Sequence, residues 1–136
     1  MHGAPSGRTA VMKVILDAMP GAVSGPVPAP RGADRGALLY KVMGKVFAIL
    51  SVRDGAVGLK CDAHLADILR EQYAGVGHYR HWLRNWISVS LDADVPPAEI
   101  ERLAAGSHEF VCSELTRKQK ADLAALSRVK YPGHGV

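Results

Sequence analysis

The sequence predicts an α+β domain: an antiparallel sheet, made of a three-stranded meander plus a hairpin, packed with helices in the order α-βββ-α-ββ-α-α. Three observations predict it. Stretches of helical period stand at both ends and in the middle of the chain, runs of strand composition lie between them, and short glycine-containing turns join those runs. At 136 residues the chain is long enough for one domain with a buried core. Its 48% hydrophobic and 22% charged residues fit a globular chain rather than a disordered one. The domain is placed at residues 9–128, between flexible tails at 1–8 and 129–136.

The first helix is read in "TAVMKVILDAM" (9–19), with Thr9 as N-cap, Met12, Ile15, Leu16 and Met19 as its apolar stripe, and Pro20-Gly21 as its stop. The proline- and glycine-rich stretch 20–37 cannot be helix interior or central strand and is read as a long loop or flap. The meander follows as "LLYKVM", a Gly44-Lys45 turn, "VFAILSV", an Asp54-Gly55 turn and "AVGLK". Asp62 then caps "AHLADILREQY", where Leu65, Ile68, Leu69 and Tyr73 make one stripe that closes at Gly75.

Residues 78–91 read as a hairpin, because Ile87, Val89 and Leu91 alternate with Trp86, Ser88 and Ser90. Pro96 and Pro97 open a helix that runs to about Glu114, with a stripe of Ile100, Leu103, Phe110, Val111 and Leu115 weakened at Gly106. Thr116 and Gln119 form a capping box for a last helix, "RKQKADLAAL".

A net charge of +4 favours anionic partners if it is gathered on one face. The apolar run "VMGKVFAILSV" is broken by Lys45 and too short to cross a bilayer, and the N-terminus lacks the apolar segment of a signal peptide. Cys61 and Cys112 are the only cysteines, which fits a reducing cytoplasm.

The stretch "GHYRHWLRNWISVS" (77–90) concentrates aromatic, basic and histidine side chains. Strict alternation places Trp86 with Ser88 and Ser90 on the more polar face. Arg80 and Arg84 would then meet phosphates while Tyr79, His81, Trp82 or Trp86 stacks on a base or other planar ligand. The opposing reading is that both tryptophans cover the sheet beneath helices, with the arginines at the rim. Lys45, at the first hairpin tip, is a further candidate phosphate contact, beside Lys41, Arg53 and Lys60, although charges at sheet edges also guard against pairing.

No catalytic constellation emerges: there is no nucleophile elbow, no phosphate-binding glycine loop, and no base beside either cysteine in sequence. His78 and His81, or Cys61 and His64, are too few for a structural metal site. No cofactor is expected.

Four strings, "MPGA" (19–22), "GKVFAIL" (44–50), "LKCDAHLADILREQYAGV" (59–76) and "WISVSLD" (86–92), resemble the MmcQ/YjbR family of small bacterial proteins over about 110 residues. The resemblance implies an α+β domain similar to the frataxin-like sheet fold and to a double-wing module of a phage transcription factor. It also implies a DNA-binding role without an established enzymatic activity. Where the family commonly shows a basic residue, His, Trp, Asn and Thr, this chain has Arg84, Asn85, Trp86, Ile87 and Ser88.

The expected function is a small cytoplasmic binding module that presents a basic, aromatic sheet face to nucleic acid. The alternative is a protein that sequesters a planar small molecule, in the manner of an antibiotic self-resistance protein, with its pocket between the sheet and the proline-rich loop.

Overall fold

The computed structural model describes residues 7–26, 37–80 and 82–130. The α+β fold is present, with the elements α1 (Gly7–Asp17), β1 (Ala22–Pro26), β2 (Ala37–Val42), β3 (Lys45–Ser51), β4 (Ala56–Lys60), α2 (Ala63–Gln72), β5 (Val76–His78), β6 (Trp86–Ser90), α3 (Pro97–Ser113) and α4 (Arg117–Lys130). The expected order holds, with one strand, β1, added inside the stretch read as a loop. It lies at a sheet edge, where Pro26 costs no central ladder bond.

The six strands run β1-β2-β3-β4-β6-β5, and every neighbouring pair is antiparallel. The register puts Leu50, Val57 and Val89 on one face, beside Ala48, Leu59 and Ile87, all fully buried. Met12 and Leu16 of α1, Ala66 and Leu69 of α2, and Ile100, Ala104 and Val111 of α3 join them in a single core. Helices therefore cover that face, and the alternate residues of the same strands point away from it.

A bulge shapes the centre. Tyr40 pairs with Ala48 but Lys41 with Val46, so Phe47 is the extra residue of β3 and is buried alongside Ala48. The Ser107 hydroxyl donates to the Phe47 carbonyl at 2.5 Å and accepts from the Lys60 amide at 2.8 Å, bridging β3 and β4 just beyond their last pair, Ala48 and Leu59. Tyr40 donates to Asp17 at 3.0 Å. Burial first, then that carboxylate, hold the phenol well above its ordinary value.

Four local expectations are corrected. Helix α1 starts at Gly7, so Thr9 is a buried interior residue instead of the N-cap, and Gly7 and Arg8 belong to the helix rather than to a tail. The β2–β3 turn is Met43-Gly44, both at positive φ (49° and 84°), which is the twist a two-residue hairpin needs; Lys45 is the first residue of β3. In α2 the buried positions are Ala66 and Leu69, while Leu65 and Ile68 are exposed, because the helix packs mainly on β5 and β6. The buried stripe of α3 is Ile100, Ala104, Ser107, His108 and Val111, with Phe110 at its margin; Ser107 and His108 are admitted because backbone carbonyls receive their protons.

Asp62 does cap α2, accepting from the His64 and Leu65 amides at 3.0 and 3.3 Å, and Thr116 and Gln119 exchange bonds as a capping box. Asp94 accepts from the Ala74 and Gly75 amides at 2.8 and 2.7 Å, clasping the loop after β6 to the turn before β5. Those amides, Gly75 first, hold its carboxyl below the usual range.

Candidate functional site

The expected hairpin forms, although β5 is short: Val76, Gly77 and His78 pair with Val89, Ser88 and Ile87. Residues 79–85 connect the strands, and two successive turns organise them. The Leu83 amide donates to the Arg80 carbonyl at 2.9 Å and the Trp86 amide to the Leu83 carbonyl at 3.1 Å. A bond from the Cys61 amide to the Asn85 carbonyl at 2.8 Å extends the β4–β6 ladder and fixes the loop to the sheet.

These constraints divide the predicted site residues into two groups. Trp86 lies, as its alternation requires, on the face opposite Ile87 and Val89, and is half-buried. The Tyr79 ring sits 5.9 Å from it at a tilt, and the Arg80 guanidinium lies 4.7 Å over the Tyr79 ring while its Nη1 donates to the Tyr79 carbonyl at 3.0 Å. Tyr79 and Trp86 thus meet each other. The second group projects outward: Trp82, in the first turn, is 75% exposed, and Arg84, in the next, is exposed. His81 lies outside the described residues.

Lys45 is exposed at the start of β3, at the same end of the sheet as this loop but two strands away. Between them Lys60 is engaged already, with Glu114 at 3.0 Å and over the Phe110 ring at 5.6 Å. A shallow apolar and polar hollow joins Lys60 to the segment from Trp82 to Trp86.

Beside the inner group runs a trough of about 150 Å³ on the helix-free face. Ile49, Ala56, Gly58 and Ser88 floor it, Tyr79 and Arg80 form one wall, and Ser51 and Asp54 close the far end. Gly58 is required there by close approach: a Cβ on it would come within 2.9 Å of the Tyr79 ring. Ser51 Oγ donates to Asp54 Oδ2 at 3.1 Å, which fixes the carboxylate. Sequence reasoning misses this trough, because Gly58 and Tyr79 come together through the β4–β6 and β5–β6 registers combined. Of the proline-rich stretch 20–37 expected to roof the alternative pocket, residues 27–36 lie outside the described residues, and the described part forms an open hollow of about 260 Å³ lined by Val23–Pro26, Leu39 and Lys41.

A cysteine-histidine pair also escapes the sequence reading, although its i, i+4 spacing on α3 signals it. His108 Nε2 donates to the Pro20 carbonyl at 2.8 Å, leaving Nδ1 as the acceptor 3.7 Å from Cys112 Sγ. Burial and then Glu109 hold the Cys112 thiol above its ordinary value, and burial pushes the Cys61 thiol up to about 11. Both cysteines are free thiols, not activated thiolates. No group of three or more metal-ligating side chains occurs among the described residues, and no helix there is long and apolar enough to cross a membrane.

The sequence profile of the YjbR family matches residues 18–110. Among solved structures the chain is similar to the Deinococcus radiodurans protein DR2400, which carries the DUF419 domain, with a TM-score of 0.69 and 22% identity over 83% of this chain and 85% of that one. That likeness is one of fold. No curated protein matches.

Proposed function

The chain belongs to the YjbR family, and from that premise we propose that it is a small nucleic-acid-binding module whose contact surface is the 79–85 loop and the helix-free sheet face beside it. The observation that carries the reading is Trp82. A tryptophan three-quarters exposed and bracketed by Arg80 and Arg84 in sequence leaves an aromatic surface in water, which a partner's base can cover. Arg84 supplies a phosphate contact beside it and Lys45 a second at the same end of the sheet, while Tyr79, Arg80 and Trp86 form the platform behind. The net charge of +4 has the sign this needs.

The same reading takes the protein as a binding module and not an enzyme, working in the cytoplasm. Burial holds both of its thiols above their ordinary value, which supports that reading.

The test is a titration of labelled DNA at a series of salt concentrations. The logarithm of affinity should fall linearly with the logarithm of salt, and Arg84→Ala should lessen the slope by about 0.7–0.9 for the lost phosphate contact. Binding indifferent to salt, or absent in dilute buffer, overturns the reading.

The trough over Gly58 favours a second reading, a binder of a planar small molecule walled by Tyr79 and Arg80. A planar compound would then quench tryptophan fluorescence stoichiometrically and with little dependence on salt.

A further inference from the structure

Resting on the nucleic-acid reading, we propose that the trough is a pocket for one unstacked nucleobase, so that the strand this domain takes is single and carries guanine at that place. Shape is the first argument. Duplex recognition by direct readout places a helix or a two-stranded ribbon in a major groove about 12 Å wide. This site is the inverse, a hollow of about 150 Å³ in a sheet face, and only a base swung out of its stack reaches the floor.

The second argument is the order of charges along the sheet. Strand β4 runs from Ala56 to Lys60 and β6 returns from Trp86 to Ser90, so the Ser51–Asp54 end of the trough and the Arg84 loop lie at opposite ends of the same two strands. Five residues of strand separate them, about 15 Å. A carboxylate repels phosphate, so Asp54 itself cannot serve a backbone, whatever the exposed Arg53 beside it meets. It can serve a base edge that offers N–H groups, while the backbone runs toward the cationic loop.

The third argument concerns the walls. The Arg80 guanidinium, held on the Tyr79 ring, is a flat cationic surface of the kind on which unstacked bases lie. The Tyr79 ring already covers Gly58, so the open floor is Ile49, Ala56 and Ser88, where the short Ala56 side chain leaves room for a ring and the Ser88 hydroxyl adds one polar contact. At the far end Asp54 is an acceptor with two oxygens, oriented by Ser51. Guanine presents adjacent N1–H and N2–H donors that match both oxygens; thymine presents one N–H between two carbonyls that would face the carboxylate.

The deciding experiment measures fluorescence anisotropy, at one low salt concentration, for a labelled nine-nucleotide thymine strand, the same strand with a central guanine, a duplex of equal phosphate count, and free guanosine monophosphate. Three proteins are compared: the full chain, Asp54→Ala and Ser88→Phe. Asp54 lies exposed in a turn and its loss leaves the core untouched, while Ser88→Phe fills the floor from the helix-free face.

The guanine strand should bind about tenfold more tightly than the thymine strand, the effect of one good base contact. Asp54→Ala should abolish that difference while thymine-strand affinity persists, and Ser88→Phe should weaken both strands. Equal or tighter binding of the duplex, or a guanine preference that survives Asp54→Ala, overturns the pocket while leaving the nucleic-acid reading intact. Guanosine monophosphate binding as tightly as the strand overturns its assignment to a strand. No binding of any oligonucleotide overturns the nucleic-acid reading itself.

Discussion

Five consecutive residues of β6 serve two surfaces that share a backbone and little else. Ile87 and Val89 are fully buried against α2 and the strands beside them, where Val57, Leu59 and Val76 are buried as well. Trp86, Ser88 and Ser90 point the other way, toward Tyr79, Arg80, glycine and short polar side chains. The first face takes its composition from the cost of exposing apolar area. On the second face large aromatic rings stand beside small residues, which a solvated sheet has no need of, and that contrast is what directs attention to a partner. The covered face is where substitutions should cost stability, and the helix-free face is where they should cost binding.

The sharpest division comes from the core side of the same strand. Ile87→Ala should destabilise the domain by about 2–5 kcal/mol in denaturant titration, since the cavity it leaves cannot be filled. A loss below 1 kcal/mol would mean that the two faces do not differ as described. Next in size is Ser107→Ala, which deprives the Phe47 carbonyl and the Lys60 amide of their shared partner; about 2–3 kcal/mol should be lost, and Ser107→Thr should recover part of it.

A smaller effect belongs to Asp94, whose clasp joins the loop after β6 to the turn before β5. Its folded carboxyl titrates below the unfolded value of about 3.9, so its contribution is present above that value and is lost as pH falls through the folded one. Asp94→Asn should therefore flatten the acid limb of the stability curve below about pH 4 and leave its slope near neutrality unchanged.

The smallest stability effect should be that of Trp82→Ala, within about 0.5 kcal/mol, because the ring covers no core. The same variant should lose affinity for single strands by an amount corresponding to about 1–3 kcal/mol. If stability fell and binding did not, the loop would be structural.

Much of the covered face was legible in advance. The period-2 alternation after Asn85 places Trp86 opposite Ile87, and Asp62 and Thr116 announce their helices, because these signals are local and need no knowledge of neighbours. The errors came where a second element decides. Apolar residues of α2 spread over an arc, and only the position of β5 and β6 selects Ala66 and Leu69 from it. Gly44 marks a turn correctly, but the requirement for two positive φ values draws Met43 into it. Ser107 and His108 look like defects in an apolar stripe until the carbonyls of Phe47 and Pro20 are seen opposite them. For the candidate site, composition brought 79–86 forward, whereas the trough depends on pairings between residues far apart in sequence.

The Ser107 bridge has a consequence for motion. By standing between a strand carbonyl and the amide of the next strand, α3 is wired into the ladder instead of merely resting on it. The end of β4 at Lys60 cannot open by breathing of the sheet alone, since its amide is released only when the helix lifts. That amide should exchange with solvent as slowly as the most protected ones in the molecule, reporting the departure of α3 and the parting of β3 from β4 as one event.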